Sequence, residues 1–94
     1  MTNCKKVAAN IIVIGLVQGV GFRYFVHDKA SRFGIKGHVR NLYNGDVEIE
    51  AEGEREAVES LIREVRVGPR AAHVTDVKVI WREPRGCFLG FHIG

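Results

Sequence analysis

The stretch best suited to chemistry is GLVQGVGFR, from Gly15 to Arg23, where three glycines and an arginine separate an apolar run from a helical pattern. Gly19 and Gly21 allow positive φ and leave room for a ligand beside the backbone. Amides at a helix start attract anions, and Arg23 in the first turn can hold the same anion with its forked guanidinium. The stretch therefore has the composition of a phosphate-binding loop, although such turns also occur without a ligand.

Other classes of chemistry find little support in the sequence. Leu16 to Arg23 contains no Ser, Thr or Cys that could act as a nucleophile, and we recognise no Ser-His-Asp set in the chain. The histidines show no i, i+4 pairing, so we expect no metal site; they are His27, His38, His73 and His92. Hydrolysis would then use a water molecule positioned by a neutral polar side chain.

The composition is that of one small globular domain over residues 1–94, with 46% hydrophobic and 27% charged residues. The net charge of +3 permits an anionic partner without requiring one. No export signal or membrane segment is recognised, which favours a cytoplasmic protein. Cys4 and Cys87 could form one disulfide at most, and reduced thiols are the favoured interpretation in the cytosol.

The elements that must position the glycine loop lie on either side of it. The β-branched run VAANIIVIG, from Val7 to Gly15, is typical of a central strand. After the loop, apolar residues from Phe22 onward fall at helical spacing, and Gly34 provides a stop. The loop is therefore predicted to join a buried strand to the start of a helix.

The rest of the chain completes a repeated pattern of strands and helices. A hairpin, KGHVRNL to DVEIEAEG, is followed by a second helix over EREAVESLIREVRVGP and by a strand over HVTDVKVIW. A short last strand in CFLGFHIG places Leu89, Phe91 and Ile93 on one side. The order β-α-β-β-α-β, with an extra C-terminal strand, predicts an α+β split βαβ sandwich with two helices on one face of an antiparallel sheet.

The loop of the hairpin decides which way Asn41 faces. A three-residue loop from Tyr43 to Gly45 places Val39 opposite Ile49. A two-residue turn would instead place Arg40, a cation, opposite the same apolar residue, so we favour the longer loop. Asn41 then lies on the helix-facing side, where its carboxamide could orient water. An ordinary asparagine at a strand end fits the same position.

Several motifs, in order, resemble the acylphosphatase family: GLVQGVGFRYFV, GHVRNLYNGDVEIEAEG, GPRAAHV and a closing GFHI. The resemblance implies a ferredoxin-like sandwich and the hydrolysis of acyl phosphates to a carboxylate and inorganic phosphate, without a cofactor. Arg23 corresponds to the family's substrate-phosphate arginine, and Asn41 to its water-orienting asparagine. The implied phosphate-binding loop comprises Gln18, Gly19, Val20, Gly21, Phe22 and Arg23.

The same resemblance sets further expectations for mechanism and partners. Water would be the nucleophile with no covalent intermediate, and inorganic phosphate would be both product and inhibitor. We expect a monomer that binds neither nucleic acid nor membrane. Two positions depart from the family's commoner pattern, Leu16 where a basic residue is frequent and His38 where an aromatic residue is frequent.

Two alternatives belong to other functional classes. A phosphate-sensing module would use the loop without Asn41, and an RNA-binding module is suggested by the aromatic stretch GFRYFV. In the RNA-binding case the stacking aromatics belong on the third strand. Here Phe22 and Phe25 have helical spacing toward the core, and the third strand, DVEIEAEG, is acidic. Acyl-phosphate hydrolysis is therefore the favoured prediction.

Overall fold

The computed structural model describes residues 6–94 as five strands and two helices. The strands form one sheet with the order β4-β1-β3-β2-β5, and all neighbouring pairs are antiparallel except β2 and β5, which are parallel. The α+β split βαβ sandwich is thereby confirmed. The elements are β1 Lys6–Leu16, α1 Phe22–Arg32, β2 Lys36–Asn41, β3 Val47–Glu54, α2 Arg55–Val67, β4 His73–Arg82 and β5 Phe91–Ile93.

The core lies between the helices and one face of the sheet. The apolar stripe of α2 is buried as its spacing predicts, and every second residue of β3 meets it from the sheet. Burying one such side chain contributes roughly 1.5–3 kcal/mol. Neither described helix, of 11 and 13 residues, is long and apolar enough to cross a membrane. The largest fully buried side chains are Phe22, Ile11, Ile49, Leu61, Val13, Val17, Val26, Val39, Val47, Val58 and Val65.

The hairpin between β2 and β3 has the register favoured above. Val39 pairs with Ile49 and Asn41 pairs with Val47, so the three-residue loop is confirmed. Gly45 adopts a φ of 99°, which a residue with a Cβ rarely adopts. Asn41 therefore shares the helix-facing side of β2 with a fully buried valine.

The expectation for Leu89 is wrong. Leu89 is 94% exposed, and β5 begins only at Phe91. The reason is topological, because β4 and β5 are opposite edges of the sheet and the chain between them crosses the face that the helices leave open. The amides of Arg85 and Gly86 donate to the Glu52 carboxylate on that face. Leu89 belongs to this crossing segment. Cys4, one of the two cysteines of the disulfide considered above, lies outside the described residues.

The open face of the sheet carries a charged network that is largely self-paired. Asn10, only 6% exposed, donates from its amide to Glu48 at 3.0 Å and also to Glu50. Arg40 contacts Glu48 at 2.6 Å, and Arg82 lies 3.9 Å from Glu50. Burial raises the pKa of Glu48, but hydrogen bonds from Asn10 and Arg40, together with nearby positive charge, outweigh it and leave that pKa below its ordinary value.

Candidate active site

The loop that follows β1 depends on glycines that have different structural roles. Gly15 has a φ of 133° beside an irregularity in the pairing of β1 with β4, and a Cβ there would lie 2.1 Å from the carbonyl oxygen of His73. Gly19 and Gly21 have φ values of 73° and 78° and open space around them. Gly15 therefore allows a close backbone approach, whereas Gly19 and Gly21 supply the left-handed turns that lead into α1.

The start of α1 leaves its amides without the usual partners. Its N-cap is Gly21, which has no side chain to cap the helix, and no acidic residue stands in the first turn. Outside the helices and strands of the described chain, no backbone hydrogen bond has an amide of 18–22 as its donor. Unpaired amides and the positive end of the helix dipole together favour a bound anion.

Arg23 is held from one side by Gly94, the residue that follows β5. Its Nη1 donates to the main-chain oxygen of Gly94 at 2.9 Å. Gly94 is itself fixed, because its amide donates to the carbonyl oxygen of Val39 at 2.7 Å as β5 runs along β2. A guanidinium has five N–H donors, so this contact orients Arg23 and leaves the other donors for an anion.

The side chain of Gln18 joins the glycine loop to the hairpin that carries Asn41. Its Nε2 donates to the carbonyl oxygens of Leu42 at 2.7 Å and Asp46 at 2.8 Å. These residues close the hairpin loop, where the amide of Leu42 donates to Asp46 at 2.8 Å. Both hydrogens of one carboxamide therefore hold the base of the loop next to Asn41. Gln18 therefore connects the two sides of the candidate site.

Arg23 and Asn41 line the same cavity. The cavity has a volume of about 80 Å³, which suits a phosphate group and a water molecule rather than a large ligand. Gln18 and Val20, which belong to the expected phosphate-binding loop, do not line it; Gln18 turns to the hairpin and Val20 packs against the core. The cavity is lined by Val17, Gly19, Gly21, Phe22, Arg23, Tyr24 and Asn41.

The lining restricts the chemistry that the cavity can perform. It contains one cation and one carboxamide but no carboxylate, imidazole or thiol. Within residues 6–94, no three His, Cys, Asp or Glu side chains are grouped so that they could hold a metal ion. The arrangement can bind an anion and orient a neutral molecule beside it.

Three contributors to the site are absent from the sequence-based prediction. Gln18 contributes through its side-chain contacts with the hairpin, and Gly94 through its main-chain oxygen, which accepts from Arg23. These contacts join residues 24 to 71 positions apart in the chain, so no local sequence pattern indicates them. Tyr24 follows Arg23 in the first helical turn, and this position is the sequence feature that could have indicated that Tyr24 belongs to the site. Leu16 and His38, the two departures from the family pattern, do not line the cavity. The His38 ring instead meets the Phe88 ring edge to face, with their centroids 5.7 Å apart.

Fold and cavity together define a small split βαβ protein with a candidate anion site where its first strand meets its first helix. The family model described as Acylphosphatase matches residues 9–93. An acylphosphatase of Anaeromyxobacter dehalogenans is 50% identical over 88 residues, covering 94% of this chain and 95% of that protein. The chain therefore belongs to the acylphosphatase family, and its activity is the hydrolysis of acyl phosphates.

Solved structures agree with this membership. The crystal structure of acylphosphatase from Bacillus subtilis has a TM-score of 0.91 and 40% identity, covering 94% of this chain and 98% of that one. An acylphosphatase structure from Coxiella burnetii has a TM-score of 0.85 and 34% identity, covering 95% and 93%. The similarity extends over nearly the whole chain in both cases.

Proposed function

We propose that Arg23 and the amides of the loop from Gln18 to Phe22 hold the phosphate of an acyl phosphate while Asn41 orients the attacking water. The observation that carries this assignment is that Arg23, Asn41 and the loop glycines line a single small cavity. The uncapped helix start supplies neutral donors and Arg23 supplies charge. The substrate is thus held by its phosphate, and the acyl group remains at the mouth of the cavity.

The reaction demands little beyond positioning and charge stabilisation. An acyl phosphate is a mixed anhydride whose carboxylate leaves readily. The water oxygen forms a bond to phosphorus as the phosphorus–oxygen bond to the acyl group breaks, and negative charge on the equatorial oxygens is held by the amides and Arg23. The water proton passes to the substrate's own phosphate, since the lining offers no carboxylate or imidazole as a base. No covalent intermediate and no cofactor take part.

Inorganic phosphate presents the same oxygens as the substrate, so it acts as a competitive inhibitor. Small anions in sites of this kind bind in roughly the micromolar to millimolar range. We propose also that residues 1–94 act as a single-domain monomer in the cytoplasm. The exposed Cys87 suits a reducing compartment. Size-exclusion chromatography with light scattering tests the oligomeric state.

Nucleic acid is not a partner in this proposal. On a sheet that binds RNA, the third strand displays aromatic side chains for stacking. Here β3 presents Glu48, Glu50 and Glu52 to the open face, and the crossing segment occupies part of it. A titration with single-stranded RNA at moderate salt should therefore show no binding, and tight binding without acyl-phosphate hydrolysis would overturn the proposal.

The proposed reaction is tested by comparing an acyl phosphate with a phosphate monoester. We expect hydrolysis of benzoyl phosphate and none of p-nitrophenyl phosphate, because an alkyl or aryl ester needs more help for its leaving group than this cavity supplies. Inorganic phosphate should inhibit competitively. Equal hydrolysis of both substrates would contradict the mechanism.

A further inference from the structure

We propose that the ring of Tyr24 forms the docking surface for the acyl group and makes the enzyme favour aromatic acyl phosphates over acetyl phosphate. The proposal rests on the proposed function and adds to it the part of the substrate that the phosphate site does not contact. It starts from the size of the site. A cavity of about 80 Å³ is far below the roughly 300 Å³ at which pockets enclose whole small molecules.

The acyl group must therefore lie outside the cavity, against its rim. Four larger cavities of the described chain, of about 280 to 370 Å³, share no lining residue with it. None of them continues the site as an acyl pocket. Whatever recognises the acyl group must come from residues that line the small cavity and also reach solvent.

Tyr24 is the one lining residue with a large uncharged side chain that is exposed to solvent. Its side chain is 71% exposed, whereas Val17 and Phe22 are buried in the core. It follows Arg23 in the first turn of α1, directly beside the residue that holds the phosphate. An acyl group attached to a phosphate in the cavity would project out of the cavity past this ring.

The chemistry of the ring selects the kind of acyl group. Aromatic rings prefer offset-stacked or edge-to-face contacts with other rings, with centroids about 4.5–7 Å apart. A benzoyl group can make such a contact with Tyr24, while an acetyl group offers only one methyl. The phenol is neutral and adds no charge to attract an acidic acyl chain. The preference therefore favours planar, apolar acyl groups.

The test compares benzoyl phosphate with acetyl phosphate in the wild type and in Tyr24→Ala. We expect the ratio of kcat/KM for benzoyl to acetyl phosphate to fall roughly three- to tenfold in Tyr24→Ala, mainly through a higher KM for benzoyl phosphate. Tyr24→Phe keeps the ring and should keep the ratio. The inhibition constant for inorganic phosphate should stay within about twofold in both variants, because Arg23 and the loop amides, rather than the Tyr24 ring, are proposed to hold the phosphate.

A matched control is available on the hairpin. Tyr43 is fully exposed but does not line the cavity, so Tyr43→Ala should leave the substrate ratio within about twofold. An unchanged ratio in Tyr24→Ala, or an equal loss on both substrates, would overturn the docking role while leaving the hydrolytic function intact. A wild-type protein that hydrolyses neither substrate would overturn the proposed function and the docking role together.

Discussion

Polar groups are concentrated both on the open face of the sheet and at the end that carries the cavity. The two regions differ in whether these groups have partners within the protein. On the open face, Asn10, Arg40 and Arg82 direct their donors to Glu48 and Glu50. At the cavity, the loop amides and most donors of the guanidinium have no such partners in the described chain. The polar groups of the first region pair with one another, whereas those of the second are available to a ligand.

The larger cavities of the described chain lie away from the candidate site. The open face borders cavities of about 350 and 300 Å³, several times the volume of the site. Two pairs of their charged side chains, Arg40 with Glu48 and Arg82 with Glu50, already contact one another, so a ligand that binds these groups would have to displace existing contacts. The candidate site is distinguished from these cavities by its unpaired donors around one small space, and not by its volume or its charge.

The largest effect is expected from Arg23→Ala. Removing the only cation in the cavity lining should lower kcat/KM on benzoyl phosphate by roughly 10²–10³-fold and abolish inhibition by phosphate at millimolar concentrations. Arg23→Lys should recover only part of the activity, since a point charge replaces the fork. Steady-state kinetics with phosphate as inhibitor provide both values.

Arg40→Ala is the matched control on the open face. Arg40 belongs to the strand that carries Asn41, but its guanidinium is occupied by Glu48. Its removal should leave kcat/KM within about twofold. A loss of activity comparable to that of Arg23→Ala would show that general positive charge, rather than one converging guanidinium, attracts the substrate.

An intermediate effect is expected from Gln18→Met. The variant keeps the length of the side chain but loses both donors to Leu42 and Asp46, so Asn41 is no longer held at a fixed distance from the loop. We expect kcat to fall about tenfold with little change in phosphate inhibition. Measurements of kcat and of the inhibition constant separate these outcomes.

A double-mutant cycle distinguishes positioning from general destabilisation. If Gln18 acts through Asn41, Gln18→Met should cost little further activity in an Asn41→Ala background. Urea unfolding of each variant provides the control for stability. Fully additive losses in kcat would contradict the positioning role.

The smallest effect on activity is expected from Glu48→Gln, which instead alters stability. The folded-state pKa of Glu48 lies below its ordinary value of 4.5, so the stabilisation is complete above about pH 4.5 and is lost as the pH falls through the folded-state pKa. At neutral pH, Glu48→Gln should lower the free energy of unfolding by about 1–2 kcal/mol without changing kcat.

Urea unfolding at neutral and acidic pH checks this prediction. The difference between the wild type and Glu48→Gln should shrink as the pH is lowered, because protonation removes the same charge from the wild type. A difference that is independent of pH would show that the charge of Glu48 does not contribute to stability.

Much of this architecture follows from local patterns. The apolar stripe of α2, the Gly34 stop and the parity of the hairpin specify the helices and the side on which Asn41 lies. The path of the crossing segment could not be predicted, because it depends on which sheet edge β5 joins, and the expectation for Leu89 was wrong for that reason.

The candidate site likewise combines features that follow from the sequence with features that do not. The positions of Arg23 and of the loop glycines beside the helix start follow from sequence spacing. The contact between Gln18 and the hairpin, and that between Arg23 and Gly94, join residues that are distant in sequence, and only the folded chain reveals them. Patterns of residue type indicate which functional groups are available, and tertiary contacts determine how those groups are oriented.

The central claim is that one set of groups binds phosphate and Asn41 acts on water. It is tested most directly by measuring kcat on benzoyl phosphate and the inhibition constant for inorganic phosphate in Asn41→Ala. We expect kcat to fall by roughly 10²-fold or more while the inhibition constant stays within about threefold of the wild-type value. Full turnover in Asn41→Ala, or loss of phosphate inhibition together with turnover, would contradict this division of roles.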